Sequence, residues 1–392
     1  MQFSKAGRAV RGGAIAIAAF SALPAGAQTI DQRLDALTAR IDQLSVGAPS
    51  QTGPGFQIAP NTRLEFYGYA KLDFIQDFDA DLGDEIFGVT VIAPGTESDT
   101  TFSAHARQSR FGFKTYTDTS YGELVTRIEG DFFGGGSDGS GQFRLRHAYG
   151  EFGPFLIGQT WGLFTPIDSY PNSLDFQGTA GIPFNRPIQA RYTHDFGNGF
   201  NAIASLERDS ADSSGDDAFG GSTGARVPSL NGAVTYAFGD NFVKLAGIYR
   251  QLDGATETVD GYGINLSGHA ALWEGGLLQA SLTTGEAIGS MDVFGLPDIS
   301  GNDALAHSGI TIGITQKISP KVSIALVGGY SDTDFGTDLT AIENITTVHA
   351  TVYYNPMEKV SLGVEFIYAD VERFNGTSFD ASRLQASAQF DF

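Results

Sequence analysis

An alternation of apolar and polar residues runs through most of this sequence and restricts its fold more than any other feature. Leu64 and Phe66 share one face of the first such segment, whereas Glu65 and Lys71 lie on the other, and the last ten residues, 383–392, repeat the scheme. A strand with one apolar face alternates in this way, because successive side chains point to opposite sides. A soluble sandwich and a membrane barrel both satisfy the pattern, so the connections must distinguish them.

The connections between the predicted strands alternate in length. Seven short connections lie at residues 117–121, 153–154, 197–199, 239–240, 273–275, 319–320 and 355–358. Eight long connections lie at residues 76–103, 134–141, 163–185, 209–227, 253–258, 288–306, 331–344 and 371–379. Membrane barrels have short turns at the periplasmic side and long loops outside. The sequence therefore predicts an all-β protein, a transmembrane antiparallel β-barrel of sixteen strands over residues 64–392.

Closure of this barrel follows from its surroundings. In lipid every backbone N–H and C=O group must find a partner within the protein, which a closed sheet provides. A barrel of about sixteen strands leaves an aqueous channel, whereas about eight strands enclose a space that side chains fill. We expect the last strand, Arg383 to Phe392, to pair with residues 64–74 and to place Phe392 at the periplasmic interface.

The N-terminal residues 1–27 have the three parts of a secretory signal peptide. These parts are the basic residues Lys5, Arg8 and Arg11, the apolar segment 12–23 and the Ala25-Gly26-Ala27 cleavage site. The apolar segment is too short to span a membrane as a helix. The mature chain is therefore expected to leave the cytoplasm.

Residues 28–46 are predicted to form a short periplasmic coiled-coil helix, followed by a linker at residues 47–63. The heptad positions are Ile30, Leu34, Leu37, Ile41 and Leu44. Two heptads are marginal alone, but they can add to an association that the barrels already make. An amphipathic helix that docks on its own domain is the alternative.

Composition excludes several classes of function. The chain has no Cys, which removes disulfides and metal–thiolate sites. It carries 24 Lys and Arg against 45 Asp and Glu, a net charge of −21, so nucleic acid is not an expected partner. Much of the acid lies in the long loops, where it is expected to make an exposed, soluble surface. We predict neither a cofactor nor a metal site.

The basic residues of the first strands all fall on the polar face. They are Lys71, Arg110, Lys114, Arg127, Arg144, Arg146 and Arg191. Facing lipid, each would cost about 2–4 kcal/mol near the midplane, so we expect them to form a basic wall inside the barrel. Some acid accompanies them at Glu129 and Asp131, and the alternative is that these pairs only hold the wall together.

The long connection 163–185 is rich in aromatic residues and proline and differs from the Asp- and Gly-rich loops. A loop this apolar is expected to fold inside the barrel as a constriction loop. The residues of this loop that we predict to form the constriction are Phe164, Asp168, Tyr170, Asp175 and Phe176. We expect Asp168 and Asp175 to face the basic wall and to create a transverse field.

An outer-membrane hydrolase is the main competing class. The six histidines, His105, His147, His194, His269, His307 and His349, are scattered and have no G-x-S-x-G context. Strand parity assigns His147 to the outward face together with Leu145 and Tyr149. We therefore predict no enzymatic activity.

Several segments resemble the DcaP-like porins. They are YGYAKLDF (67–74), RQSRFGFKT (107–115), EGDFFG (129–134), LRHAYGEFG (145–153), GQTWGLF (158–164) and the terminal AQFDF. The resemblance is strong over the heptad segment and the first six strands. It implies a trimeric outer-membrane porin with an N-terminal coiled coil, sixteen strands and passive uptake of small anions, particularly dicarboxylates. It also implies that Arg110, Lys114, Arg127, Arg144, Arg146 and Arg191 belong to a basic pore wall.

Together these features predict a homotrimeric porin of the bacterial outer membrane, in contact with lipid and lipopolysaccharide. It would pass small hydrophilic solutes by diffusion and prefer anions such as dicarboxylates. A general non-selective channel and a structural or adhesin barrel remain alternatives, and a hydrolase is a weaker one.

Overall fold

The strands pair in sequence order around a closed ring, so the alternation of the sequence becomes an inner and an outer surface. The computed structural model describes residues 55–92, 100–134, 141–208, 227–334 and 338–392. The predicted signal peptide, the coiled-coil helix with its heptad residues 30–44, and the first part of the linker lie outside the described residues.

The first eight barrel strands include the shortest ones of the molecule. They are β1 (Thr62–Asp77), β2 (in two segments, Thr101–His105 and Arg110–Thr119), β3 (Gly122–Gly134), β4 (Gln142–Phe152), β5 (Phe155–Gln159), β6 (Ile188–Gly197), β7 (Phe200–Glu207) and β8 (Ser229–Phe238). A short strand, Phe56–Ala59, pairs with the beginning of β1. With only five residues, β5 ends low in the wall, and the long connection 160–187 begins there.

The other eight strands form a taller wall. They are β9 (Asn241–Asp253), β10 (Thr258–Trp273), β11 (Gly276–Glu286), β12 (Ala306–Ser319), β13 (Val322–Thr333), β14 (Ile342–Met357), β15 (Val360–Arg373) and β16 (Ser378–Asp391). The last strand pairs antiparallel with the first, Tyr69 opposite Asp391 and Leu72 opposite Ala388. The predictions of sixteen strands and of a closing C-terminal strand are confirmed.

The two faces of the wall differ in chemistry as the alternation predicts. Large apolar side chains stand exposed on the outside, for example Leu266, Ile312, Val352, Phe366 and Phe390. Their neighbours along the chain are polar and buried on the inside, for example Ser267, Thr311, Thr351, Glu365 and Gln389. This outer surface suits hydrocarbon and the inner one suits water. Among the described residues, no helix has the length and apolarity needed to cross a membrane.

Three of the long connections fold into the upper part of the barrel. The connection after β1 contains a short helix, α1 (Gly88–Val91), and the others contain 3-10 turns at Ile167–Ser169 and Gly289–Met291. A small hairpin, Ile299–Ser300 with Asp303–Ala304, precedes β12. The three connections meet in one apolar cluster against β14, β15 and β16.

This apolar cluster corrects one expectation from the sequence. Ile86 and Val89 of the connection 78–100, and Phe294 and Leu296 of the connection 287–305, are at most 1% exposed and pack with Ile367. Both connections were expected to be exposed acidic surface, which is wrong for these parts. Their apolar residues find a core only inside the barrel, against strands that are far away in sequence.

Candidate pore constriction

A group of arginines and acids from β2, β3 and β4 forms the inner wall at mid-height. Glu129 forms an ion pair with Arg127 (Nη2 to Oε2, 2.6 Å) and another with Arg146 (Nε to Oε1, 2.9 Å). Arg110 Nε lies 3.5 Å from the same Oε1 atom. Each of these side chains is at most about one-tenth exposed, so the contacts are shielded from bulk water.

Asp131 is the second acid of this wall and pairs with two arginines. Its Oδ2 atom lies 3.1 Å from Arg144 Nη2 and 3.1 Å from Arg146 Nη1, so that Arg146 bridges the two acids. Four guanidinium groups therefore share two carboxylates. Because guanidinium stays protonated at any physiological pH, the wall keeps an excess of about two positive charges. We call Arg110, Arg127, Glu129, Asp131, Arg144 and Arg146 the arginine wall.

A bulge in β4 explains how this strand presents so many polar residues. Glu129 is opposite His147 and Gly130 is opposite Leu145, so Arg146 is an extra residue in β4. A bulge of this kind turns consecutive side chains to the same face. Arg146 and His147 are both buried inside, and Tyr149 follows them inward.

His147 therefore lies on the inner face, and the expectation that it faces outward is wrong. Its ring is fully buried, and Nδ1 lies 3.0 Å from the Thr160 hydroxyl. Strict period-two counting fails here because the sequence gives no sign of the single extra residue.

The other three predicted basic residues are also on the inner face but contact different groups. Lys71 forms an ion pair with Asp73 (3.1 Å) and donates to the Leu174 carbonyl (2.9 Å). Arg191 donates to Gln189 (2.9 Å) and to the Trp161 carbonyl (2.5 Å). Lys114 is buried on β2. Arg191 thus holds the beginning of the constriction loop, and Lys71 holds its middle.

The constriction loop, residues 160–187, runs across the barrel and lies against the opposite wall. Its backbone carbonyls accept hydrogen bonds from three strands in turn: Thr165 from Lys244 of β9 (2.9 Å), Asp168 from His269 of β10 (2.8 Å) and Tyr170 from Gln279 of β11. Further along, Asn172 donates to Thr315 of β12 (2.9 Å). Phe164 is buried with Ala246 and Ile288.

Glu365 of β15 anchors the middle of the loop. Its carboxylate accepts from the Ser173 hydroxyl (2.9 Å) and from the backbone N–H groups of Leu174 (2.9 Å) and Asp175 (3.1 Å). The Thr351 hydroxyl donates to the same carboxylate at 2.5 Å. One buried carboxylate thus satisfies three donors of the loop, which fixes its height in the barrel.

The loop backbone touches the wall directly at Gly181. This residue has φ of 80°, which favours glycine, and a Cβ atom there would lie 2.5 Å from the carbonyls of Ile310 and Tyr330. Gly309 of β12 faces Gly181, and Gly329 of β13 faces the neighbouring Ala180, with equally little space. Three glycines therefore form the seat in which the loop rests, and Thr347 and Ser331 bond the adjacent N–H groups of Ala180 and Gly181.

Asp175 does not pair with the arginine wall, contrary to expectation. Its Oδ2 atom accepts from Arg383 Nη1 of β16 (3.0 Å) and from the N–H of Ile86 (3.1 Å). Arg383 also forms two bonds with Asp77 of β1, at 2.7 and 2.9 Å. Asp168 is fixed through its carbonyl to β10. Both residues therefore hold the loop in place. Asp175 connects it to the seam of the barrel, where the last strand β16 pairs with β1.

The loop meets the arginine wall through aromatic rings instead. Phe176 stacks on Phe133 of β3 with 4.0 Å between ring centroids, and the Arg144 guanidinium lies 5.3 Å from the Phe176 centroid. A cavity remains between loop and wall, lined among others by Lys71, Arg110, Arg146, Trp161 and Tyr170. The wall side of this cavity carries cations, and the loop side carries aromatic and polar groups, among them Asp175.

Strand parity places Arg383 in the lumen on the strand next to Lys71, but sequence reasoning missed three other residues of this site. Arg186 and Trp161 lie in the loop, where strand parity has no meaning, and Glu365 lies on β15. The alternation marks Glu365 as an inward polar residue, which is the only signal that could have found it. In the ranges that the structure describes, no group of three or more metal-ligating side chains could hold a metal ion.

A closed sixteen-stranded barrel with an apolar outside, a polar inside and an infolded loop is a porin-type channel of the bacterial outer membrane. The chain belongs to the DcaP outer membrane protein family, whose model matches residues 36–272. The family and the fold are those of a channel rather than an enzyme. No protein with a curated description matches this sequence.

Solved structures show the same fold. The outer membrane channel DcaP of Acinetobacter baumannii is 22% identical with a TM-score of 0.78, covering 87% of this chain and 100% of that chain. OmpT of Vibrio cholerae is 14% identical with a TM-score of 0.57, covering 86% and 99%. An anion-selective porin from Comamonas acidovorans is 12% identical with a TM-score of 0.56, covering 84% and 100%.

Proposed function

We propose that this protein is a homotrimeric diffusion channel that prefers small anions. The observation that carries the proposal is the charge balance of the arginine wall, where four guanidinium groups share two carboxylates. The only acid of the constriction loop with a described ion pair, Asp175, pairs with Arg383 at the seam of the barrel and not with the arginine wall. An anion that crosses the constriction therefore meets a net positive field, which a narrow, low-dielectric opening strengthens.

The seven predicted basic residues share this role unequally. Arg110, Arg127, Arg144 and Arg146 supply the field, whereas Lys71 and Arg191 bond the loop backbone and set its position. Selection is by size and by local attraction, with no chemical step and no cofactor. The preference for dicarboxylates is the substrate part of the proposal, because two carboxylates on one solute gain twice from the same field. The Comamonas porin of the same fold is described as anion-selective, which agrees with this assignment.

Three further parts of the proposal concern assembly. OmpT of Vibrio cholerae, which has the same fold, has been described in a trimer form, and we propose a trimer here too. Residues 1–27 would direct export. Ile30, Leu34, Leu37, Ile41 and Leu44 would then join three helices in the periplasm. The outer surface would contact lipid and lipopolysaccharide. Crosslinking of the purified protein that yields only monomers would remove the trimer.

The test is a reversal potential in a salt gradient across a planar bilayer. The wild type is expected to be anion-selective, and the preference should weaken at high salt because screening shortens the field. The double variant Arg144→Ala/Arg146→Ala leaves two guanidinium groups for two carboxylates. It should lower the anion-to-cation permeability ratio by about fivefold, which corresponds to roughly 1 kcal/mol.

A matched control removes the same charge away from the constriction. Lys317 and Lys321 are exposed at the turn between β12 and β13. The double variant Lys317→Ala/Lys321→Ala is expected to keep the wild-type ratio. A cation-selective wild type would overturn the anion proposal and leave the barrel unaffected.

A further inference from the structure

Arg186 differs from every arginine of the arginine wall in having no acidic partner among the described residues. It lies at the end of the constriction loop, two residues before β6, and is 3% exposed. Its Nε and Nη1 atoms are buried and have no hydrogen-bond partner among the described residues. Among the described residues, no ion pair joins Arg186 to a carboxylate. Arg110, Arg127, Arg144 and Arg146 each lie within 3.5 Å of Glu129 or Asp131.

Two aromatic rings hold the Arg186 guanidinium in place. Its central carbon lies 5.0 Å from the centroid of Trp161 and 5.1 Å from that of Phe184. The rings contact each other edge to face at 5.2 Å. Ring faces attract a cation and orient it, but they leave its charge and its N–H donors unsatisfied. The side chain is therefore positioned without being neutralised.

The charges around Arg186 are mostly of its own sign. Its strongest electrostatic neighbours are Arg146 and Arg144, followed by the single carboxylate Asp131 and then Arg110. Arg146 also lies over the Trp161 ring, at 5.6 Å from its centroid. A buried cation without a partner opposes folding, and here the neighbouring cations add to that cost. An apolar side chain of the same length would fill the space between the rings without either penalty.

An anionic solute would supply the missing partner. Trp161, Phe184 and Arg146 all line the cavity between the loop and the arginine wall. A solute in this cavity is therefore next to the aromatic support of Arg186. A guanidinium group offers parallel N–H donors that match the two oxygens of a carboxylate, a geometry that a spherical halide cannot use.

We propose that Arg186 is a solute-binding residue of the channel, one that recognises a carboxylate group and distinguishes it from chloride. This inference rests on the proposed anion channel and adds a binding point to it. The arginine wall attracts anions of every kind through its net positive charge. It does not select a carboxylate, because its guanidinium groups are already paired with Glu129 and Asp131. Arg186 holds the carboxylate, because its Nε and Nη1 donors have no other acceptor in the described structure.

The test compares acetate with chloride as permeant anions. With potassium acetate on one side of a bilayer and potassium chloride on the other, the reversal potential gives the ratio of their permeabilities. The wild-type ratio is expected to exceed the ratio of the bulk mobilities. Arg186→Met should lower it about fivefold or more, towards the bulk value. Arg186→Lys keeps the charge without the fork and should give an intermediate ratio.

The matched control is Arg208→Met, which removes an arginine that is exposed after β7. It is expected to leave the acetate-to-chloride ratio unchanged. If Arg186→Met also leaves the ratio unchanged in an anion-selective wild type, the inference is wrong and the proposed function stands. A wild type without anion preference would overturn both.

Thermal unfolding separates a binding role from a structural one. Because Arg186 has no acid to lose, Arg186→Met should unfold at the wild-type temperature or above it. A lower unfolding temperature together with an unchanged permeability ratio would identify Arg186 as a structural clamp between Trp161 and Phe184. Failure of both the Met and the Lys variant to assemble would also assign it that role and overturn the proposal.

Discussion

The two inner walls of the barrel satisfy their buried polar groups in different ways. The arginine wall pairs cations with acids on neighbouring strands of the same wall, so its bonds run sideways between β2, β3 and β4. The opposite wall, β9 to β16, instead directs hydroxyls, histidines and Glu365 at the backbone of the constriction loop. One wall is complete without the loop, and the other needs it. The arginine wall is therefore left open to solutes, while the opposite wall holds the part that narrows the channel.

The largest effect on this difference between the walls is expected when the central acid of the arginine wall is removed. Glu129→Gln leaves Arg110, Arg127 and Arg146 buried with less than half of their compensation. The free energy of unfolding should fall by about 3–5 kcal/mol, as expected when one partner of a buried ion pair is lost. Heat-induced unfolding of the purified protein measures this change. Glu123→Gln, at the other end of β3, is the control, and an equal loss in both variants would show that Glu129 has no special role.

A smaller change is expected when the anchor of the loop is weakened. Glu365→Gln keeps the size of the side chain but removes the charge that accepts from Ser173, Leu174 and Asp175. The loss should be roughly 1.5–3 kcal/mol, the range for hydrogen bonds to a charged group. The freed loop should also raise the single-channel conductance and its fluctuations. Glu372→Gln, exposed on the same strand, should change neither, and an unaltered conductance in Glu365→Gln would mean that the loop has other sufficient anchors.

The smallest effect concerns pH and the connection after β1. Burial raises the pKa of Glu85 to about 7, with the neighbouring Asp175 acting in the same direction. The group is neutral below this pH and carries one negative charge above it. The anion preference should therefore fall, by roughly twofold, as the pH rises from 5 to 9. Reversal potentials over this range check the prediction.

The control for this pH effect uses the same connection. Glu85→Gln should remove the step near pH 7, whereas Asp81→Asn, which changes an exposed acid, should keep it. A wild-type preference that does not change between pH 5 and 9 would show that Glu85 does not influence the constriction.

The arginine wall was predictable and the loop contacts were not, for a reason that lies in the distances along the chain. Arg110, Arg127 and Arg144 come from consecutive strands joined by short connections or a single loop, so parity alone brings them together. Asp175 and Arg383 are 208 residues apart, and no periodicity relates a loop residue to a strand at the other end of the chain. Parity also failed within β4, where the extra residue Arg146 turned His147 inward.

The sequence by itself determined the barrel, its strand number, its closing strand and the inward basic residues. This is because lipid imposes an apolar residue at every second position, a constraint that acts locally and can be counted. Only the tertiary structure decided where the constriction loop lies, which acid each arginine of the wall pairs with, and that Arg186 pairs with none of the described acids. These outcomes depend on side chains that meet across the interior, where the nearest partner is set by the closure of the ring.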